Sequence, residues 1–250
     1  AWLEASAQFG PLVKPIITPR FVPSCTSELM SGLGKLAEEY SVPVQSHLSE
    51  NHGEIDWVAA LHPEAANYTD VYYEHHLMGK VPTVMAHCIH LSDVEMDRMA
   101  ETQTMVSHCP YSNVNLSSGI APIRKLFERK IPIGLGSDIS GGHIVSMAKV
   151  LTEAIGLSKM KWVEVDQTYA PLTLSEAFYM ATKGGGKFFG KVGSFEKGCE
   201  LDALVIDDTT LFDPNERSLE ERLERWLYVG DDRHIVERYV AGKVASEPMR

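Results

Sequence analysis

The feature that most constrains this chain is a repeated alternation of short apolar runs with longer amphipathic stretches. Five runs have the length and composition of β-strands: 13–18 (VKPIIT), 42–46 (VPVQS), 81–86 (VPTVMA), 104–107 (TMVS) and 131–136 (IPIGLG). Helical patterns lie between and after them, at 27–40, 92–101, about 120–129 and about 143–158. Such an alternation predicts a parallel sheet with helical crossovers, either doubly wound or closed into a (β/α) barrel.

Local signals refine the helical segments. Segment 27–40 carries one apolar stripe, predicted to face the core and formed by Leu29, Leu33, Leu36 and Tyr40. Ser92 and Thr173 each precede a Glu by three residues, which is the spacing of a helix capping box.

We interpret Gly184–Gly186 as a helix terminus, because no strand precedes it and no GK[ST] follows. The methionines predicted to pack in the core are Met30, Met85 and Met147.

The pattern changes after Leu172. Segments 193–207 and 235–245 alternate in short strand fashion with glycine turns, as in a small β domain. The charged stretch 215–225 (NERSLEERLER) is typical of a helix face in contact with solvent.

Composition excludes several classes of protein. The chain has 250 residues, and its 23 Lys and Arg against 34 Asp and Glu give a formal charge of −11, which disfavours nucleic acid as a partner. No apolar run approaches the ~20 residues that cross a bilayer, and the first ten residues lack the pattern of a signal peptide. Four widely spaced cysteines predict reduced thiols. We therefore expect a cytoplasmic protein without a membrane partner.

Each predicted strand is followed by a side chain that can bind a metal ion or an anion. These residues are Arg20, His47, His87, His108 and Asp138. In a parallel α/β architecture the carboxyl ends of the strands meet at one face, so residues far apart in sequence share one pocket. A lone strand-end His is more often structural, but two His and an Asp at corresponding positions suit a zinc-class ion that activates water.

Two neighbouring features carry alternative interpretations. Glu50 lies three residues beyond His47, where a carboxylate can exchange protons with a metal-activated water, or can cap the following helix. Arg20 with Phe21 suits a planar heterocycle that bears a carbonyl oxygen, although a surface Arg beside a core Phe is equally ordinary. We expect His75 and His76 to face solvent and His90 to point away from the pocket.

The strand ends taken together resemble the amidohydrolase superfamily and, within it, the guanine deaminase family. The matching segments are PRF at 19–21, SHLSEN at 46–51, MAHC at 85–88, SHCPYSNVNLSSG at 107–119, GLGSDISGG at 134–142 and WLYVGDDRHIVERYVAGK at 226–243. The resemblance implies a distorted (β/α)8 barrel at 1–190 and part of a small β-sandwich at 191–250. It also implies hydrolysis of guanine to xanthine and ammonia, with guanine and water as substrates, and a homodimer.

The resemblance also implies roles for individual residues. One zinc ion, or iron in its place, is bound by His47, His87 and Asp138. The catalytic residues are Glu50, which moves a proton to the purine ring, and Asp138, which guides the water. Substrate contacts come from Arg20, Phe21, His47, Glu50 and Asp138, and His108 orients the site without binding the metal.

One departure from the family pattern is serious. The family carries two further zinc ligands in an H-x-H motif on its first barrel strand, and no two of the ten histidines here are separated by two positions. The five strand candidates match strands four to eight of such a barrel. We therefore expect strands one to three to be missing and the isolated chain to have little or no deaminase activity, because open strand edges and a lost ligand pair weaken both fold and metal binding.

Two other interpretations stay open. The first is an amidohydrolase that deaminates a different purine, a pyrimidine or a triazine. The second is a non-catalytic form that acts through protein contacts and has lost its first strands. Glu50 and Asp138 are both present, which favours truncation over decay of the site.

Overall fold

The computed structural model of the chain describes residues 2–245. The chain divides into two compact units. The first unit comprises Ala1–His108 and Lys125–Pro132, and the second comprises Cys109–Arg124 and Ile133–Arg250. Within residues 2–245, no helix combines the length and the apolar character that crossing a membrane requires.

The first unit alternates helices with parallel strands. Its elements are α1 (Trp2–Ser6), α2 (Ser27–Tyr40), β1 (Val44–Leu48), α3 (His52–Leu61), α4 (Tyr68–Glu74), β2 (Thr83–His87), α5 (Asp93–Thr102) and β3 (Met105–His108). Strand β2 lies between β1 and β3 and pairs with both in parallel, with His47 opposite Ala86 and Leu48 opposite His87. The predicted alternation and the parallel sheet are confirmed.

The second unit combines helices with a small antiparallel sheet. Its elements are α6 (Pro110–Asn115), β4 (Ile133–Leu135), α8 (Met147–Glu164), α9 (Leu174–Tyr179), β5 (Ala203–Ile206), α10 (Leu219–Val229), β6 (Ile235–Val240) and β7 (Lys243–Val244). Helix α7 (Ile123–Glu128) contains one of the three points where the chain passes from one unit to the other. Strand β6 pairs antiparallel with β5 and β7. Antiparallel strands in the C-terminal part confirm the predicted change of pattern, whereas the boundary at residue 190 stays a prediction.

The core of the first unit lies on and around its strands. Val44, Leu48 and Met85 are fully buried, as expected for parallel strands covered by helices. Met30 is also fully buried, so two of the three methionines predicted in the core are confirmed. The third prediction is wrong, because Met147 is the first residue of α8 and stays exposed.

Helix α2 has the predicted bounds but buries a different face. Leu29, Leu36 and Tyr40 are exposed, and the buried residues of the helix are Met30, Gly34 and Ala37. The reason is close packing at Gly34, where an added Cβ would collide with the backbone oxygen of His75. Gly34 and Ala37, together with Met30, therefore face the core, and of the predicted apolar stripe only Leu33 is partly buried.

The run predicted as the first strand, 13–18, forms only one bridge. Ile17 pairs in parallel with Val44, and no named strand includes it. Pro15 and Pro19 flank it, and proline has no backbone N–H to donate to a ladder. The other four predicted strands are confirmed, each within about two residues of its expected bounds.

The three glycines at 184–186 lie at the end of a helix, as predicted, since the helical backbone ends at Gly186. Helix α9 continues into a π-helical turn at Met180–Gly184. A Cβ on Gly134 of β4 would lie 2.9 Å from the Cα of Gly185, and a Cβ on Gly184 would lie 2.7 Å from the oxygen of Ile133. The glycines therefore allow this turn to approach β4 more closely than any side chain would permit.

Capping boxes form where the sequence predicts them. Ser92 and Thr173 each accept from the backbone of the Glu three residues on, and each Glu reaches back to the cap. Glu176 also binds Arg124 through both oxygens, at 2.6 and 2.8 Å. This hydrogen bonding to Arg124 lowers the pKa of Glu176 to about 2, despite partial burial.

We predict that Glu176→Gln lowers the free energy of unfolding by roughly 1 kcal/mol at pH 7, because the Arg124 guanidinium loses a charged partner that is 31% exposed. The pKa of Glu176 is depressed in the folded state, so its contribution is full above about 4.5 and disappears as the pH falls toward 2. Urea denaturation between pH 2 and 7 measures the difference.

The matched control is Glu221→Gln, which alters the same position of the α10 capping box. Glu221 lies 3.5 Å from Arg217, and both are more exposed than the Arg124–Glu176 pair. Glu221→Gln should therefore lower the free energy of unfolding by less than Glu176→Gln does. A loss that is equal for both variants, or one that persists unchanged at pH 2, would contradict the assignment.

Candidate active site

Three histidines lie at the carboxyl ends of the three paired strands of the first unit. His47 is the penultimate residue of β1, and His87 and His108 are the last residues of β2 and β3. The rings of His47 and His87 stack, with centroids 5.3 Å apart and an interplanar angle of 26°. The structure therefore brings two of the predicted metal ligands side by side.

Backbone conformation explains how His87 reaches His47. The register places Leu48 opposite His87, and Ala86 opposite His47. His87 has a positive φ of 72°, which L-residues rarely adopt and which departs from the regular alternation of a strand. This single torsion re-aims the side chain toward the ring on the neighbouring strand.

Hydrogen bonding selects the tautomer of His47. Its Nδ1 lies 2.6 Å from the backbone oxygen of Arg20. A carbonyl oxygen only accepts, so Nδ1 carries the proton and the lone pair of the neutral ring lies on Nε2. Metal-binding histidines in proteins have this same arrangement, in which the second ring nitrogen donates to a carbonyl or a carboxylate.

Glu50 lies beside the histidine pair. Its Oε2 is 3.8 Å from Nε2 of His87, and the Glu50 side chain is 17% exposed. The helix that follows is capped by Asn51, whose side chain accepts from the backbone of Glu54. Glu50 is therefore not the cap of α3, and the structure leaves its carboxylate on the side of the histidines.

His108 is buried and neutral. Burial, with a smaller contribution from His87, lowers the pKa of His108 to about 3. Its Nδ1 is buried and has no hydrogen-bond partner among the described residues. A buried imidazole nitrogen without a partner is costly, so its presence calls for an explanation such as a catalytic role or a bound ion.

Arg20 and Phe21 form an aromatic cluster with a residue that the sequence analysis did not single out. The Arg20 guanidinium lies 5.3 Å from the centroid of the Phe21 ring. Trp57 of α3 meets the same ring edge to face, at 6.2 Å. Arg20 is exposed and Phe21 half-buried, so both are accessible to a ligand at the mouth of the site.

A buried hydrogen-bond network supports the end of β1. The Oγ of Ser46 donates to the backbone oxygen of Pro19 at 2.8 Å and lies 2.7 Å from the hydroxyl of Tyr72. Tyr72 lies 2.9 Å from the backbone oxygen of His47, to which its hydroxyl donates. These contacts fix the Arg20 segment and His47 to α4.

Asp138 lies in the second unit, three residues after β4. It has a positive φ of 44°, and its backbone oxygen accepts from Gly142 at 2.7 Å. A Cβ on Gly141 would lie 2.6 Å from Oδ2 of Asp138, so the Asp138 carboxylate packs directly against this glycine. Across residues 2–245 no three His, Cys, Asp or Glu side chains are grouped tightly enough to hold a metal ion. The role of Asp138 stays a prediction.

The other histidines have structural surroundings of their own. His90 stacks on His52, with centroids 4.0 Å apart. His75 is half-buried and bonds to Ser31 at 2.9 Å, so the prediction that it faces solvent is wrong. His76 is exposed, as predicted, and contacts Glu38.

Sequence reasoning missed the residues that support the site. Tyr72 donates to the backbone oxygen of His47, and Glu54 accepts from the backbone of Glu50. Tyr68 donates to Glu54, and Trp57 contacts Phe21. A signal was present in the spacing of Tyr68 and Tyr72, which places two aromatic rings on one face of the second helix after the strand of His47. Their contacts nevertheless depend on where α4 packs, which no local pattern specifies.

The sequence profile of the Amidohydrolase family matches residues 4–245. The chain belongs to the amidohydrolase family.

Within the family, the chain is similar in sequence to several guanine deaminases. The chain is 44% identical over 243 residues to the guanine deaminase of Dictyostelium discoideum, covering 94% of this chain and 54% of that protein. It is 39% identical over 240 residues to the guanine deaminase of Escherichia coli, covering 92% and 53%. The crystal structure of the guanine deaminase from C. acetobutylicum with bound guanine matches with a TM-score of 0.94 and 53% identity, covering 97% of this chain and 57% of that chain. The chain spans about half the length of these relatives.

We predict that Ser46→Ala lowers the free energy of unfolding by about 1–3 kcal/mol, because buried carbonyl and hydroxyl groups lose their partner. Gln45→Ala is the matched control on the same strand, since the Gln45 side chain bonds to Thr18 in an exposed position. It should cost under ~0.5 kcal/mol. Urea denaturation measures both, and equal losses would contradict the role of the Ser46 network.

Proposed function

We propose that this chain carries the site of a hydrolytic deaminase that converts guanine to xanthine and ammonia. The observation that carries the proposal is the stacked pair His47–His87 with the Glu50 carboxylate beside it. Relatives named guanine deaminase at 39–44% identity, and one solved with bound guanine, support the choice of substrate.

Two of the residues present, His47 and His87, suit a divalent metal ion of the zinc class. His47 has its Nδ1 proton bound to a carbonyl, which leaves Nε2 as a donor nitrogen, and the buried His87 lies against it. We propose that these two residues and Asp138 hold the ion, zinc or iron. When bound, such an ion lowers the pKa of a water molecule toward neutrality.

The chemistry of the chain's own residues centres on Glu50. Its carboxylate accepts a proton from the attacking water and delivers it to the purine ring, which makes C2 electrophilic. The water oxygen adds at C2 as a hydroxyl. Glu50 then takes the remaining proton of that hydroxyl and gives it to the exocyclic nitrogen, so that the C2–N bond breaks, ammonia leaves and C2 becomes a carbonyl carbon of xanthine. Asp138 orients the water, and His108, neutral and buried, supports the site from beneath.

Substrate recognition is assigned to the cluster at the mouth of the site. The Arg20 guanidinium donates to the carbonyl oxygen of guanine, and Phe21 packs against the purine ring. The contact of Trp57 with Phe21 supports this assignment, because it restricts the orientation of the Phe21 ring.

The proposed function also includes the barrel and sandwich architecture of this family. The parallel strands are assigned to a (β/α)8 barrel and the antiparallel sheet β5–β6–β7 to a small β-sandwich, with a boundary near residue 190. The homodimer and the cytoplasmic location stay predictions.

The proposal predicts that the protein containing this chain, supplied with zinc, releases ammonia from guanine and forms xanthine. Adenine, cytosine and ammeline serve as the comparison substrates and should be turned over at least ~100-fold more slowly in kcat/KM. A preference for any of these three would contradict guanine as the substrate.

Two variants separate proton transfer from metal binding. Glu50→Gln should keep the metal and lose about 10²–10⁴-fold in kcat, because an amide cannot shuttle the proton. His87→Ala should lose the metal as well as the activity. The control His76→Ala removes an exposed imidazole and should change neither. Metal analysis and ammonia release measure all three, and full activity of Glu50→Gln would remove its proposed role.

A further inference from the structure

A second buried glutamate lies directly behind Glu50. Glu54, in the first turn of α3, is only 7% exposed. Its Oε2 accepts from the backbone N–H of Glu50 at 2.9 Å, and its Oε1 accepts from the hydroxyl of Tyr68 at 2.7 Å. Both carboxylate oxygens are therefore engaged, one of them by the residue assigned to proton transfer.

Tyr68 extends this contact toward His47. Its ring stacks on that of Tyr72, with centroids 5.5 Å apart and an interplanar angle of 15°. Tyr72 in turn donates to the backbone oxygen of His47. Burial raises the pKa of both tyrosine hydroxyls well above the usual range, so both stay protonated donors. One connected network thus joins the backbone of Glu50 to the backbone of His47.

The contact differs from ordinary helix capping within the same protein. In α5, α9 and α10 the glutamate at the third helical position reaches back to the N–H of the cap itself, at Ser92, Thr173 and Ser218. In α3 the glutamate at the same position reaches one residue further, past the cap Asn51, to Glu50. Stabilising the helix alone would not require this longer reach.

The backbone beside Glu50 needs such support. Ser49 has a positive φ of 48°, a conformation that costs about 1–3 kcal/mol for a residue other than glycine. Its oxygen accepts from the backbone of both Ile89 and His90. The Glu54 bond holds the following peptide, and together these contacts set the direction in which the Glu50 side chain leaves the chain.

We propose that Glu54 and Tyr68 are positioning residues that hold the Glu50 carboxylate beside His87. The proposal rests on the proposed function, because Glu50 is the proton-transfer group only if that function holds. A displacement of about 1 Å at a reacting group lowers turnover about 100-fold, so the loss of this support should be visible in kcat.

The test compares four variants of the protein containing this chain, loaded with zinc and assayed with guanine. Glu54→Ala should lower kcat about 10–100-fold with KM within about twofold, because positioning and not substrate binding is lost. Glu54→Gln should recover to within about threefold of wild type, because its amide oxygen still accepts from Glu50. Tyr68→Phe should lie between these two.

The matched control is Glu95→Ala. Glu95 is 6% exposed, caps α5 and accepts from Thr69, but it does not contact Glu50 in the described contacts. The Glu95→Ala variant should be less stable than wild type, but the kcat of its folded molecules should be unchanged. An equal fall in kcat for Glu95→Ala, or no recovery in Glu54→Gln, would show a merely structural role and overturn the proposal.

Hydrogen exchange separates this proposal from the proposed function. In Glu54→Ala the amide of Glu50 should exchange at least ~10-fold faster than in wild type, and in Glu95→Ala it should be unchanged. This readout does not require turnover. If wild type does not hydrolyse guanine, the proposed function fails, but the exchange rates still test the positioning role of Glu54. An unchanged exchange rate of the Glu50 amide in Glu54→Ala would overturn that role.

Discussion

The candidate site depends on one constraint, the parallel pairing of β1 with β2. Because both strands run in the same direction, their carboxyl ends open at the same edge of the sheet, and the register brings the His47 and His87 backbones to adjacent rungs. The chain crosses between these strands through α3 and α4. Those two helices carry the residues that support the site, so the crossover that makes the pairing possible also supplies Trp57, Glu54 and the stacked tyrosines.

Four residues with a positive φ lie at or just beyond the ends of strands. Ser49, His87 and Cys88 all have positive φ values in the first unit, and Asp138 has one in the second. Each such residue costs about 1–3 kcal/mol unless its surroundings fix it. Around Ser49 and His87 those surroundings are visible, since Cys88 donates to the oxygen of Leu48, and the oxygen of Ser49 accepts from two backbone amides. The molecule therefore accepts local strain at the points where side chains must be re-aimed toward one another.

Sequence periodicity predicted four of the strands, with the histidines at their ends, because both follow from local hydrophobic patterning, but it gave no bounds for α3 and α4. It failed at α2, where the buried face is chosen by how closely Gly34 approaches the backbone at His75. At Gly184–Gly186 it predicted the end of the helix but not the close packing of these glycines against β4. The direction of His87 depends on one torsion, and the reach of Glu54 to Glu50 depends on the backbone conformation just before α3. Neither is encoded in spacing along the chain.

The most direct test of the account is an anomalous difference map from crystals of the protein grown with zinc. The account predicts one peak about 2.0–2.1 Å from Nε2 of His47 and from a ring nitrogen of His87. It further predicts that Nδ1 of His47 keeps its bond to the backbone oxygen of Arg20. A map with no peak between these two rings, or with zinc bound elsewhere on the described chain, would contradict the central claim that the paired strand ends form the metal site.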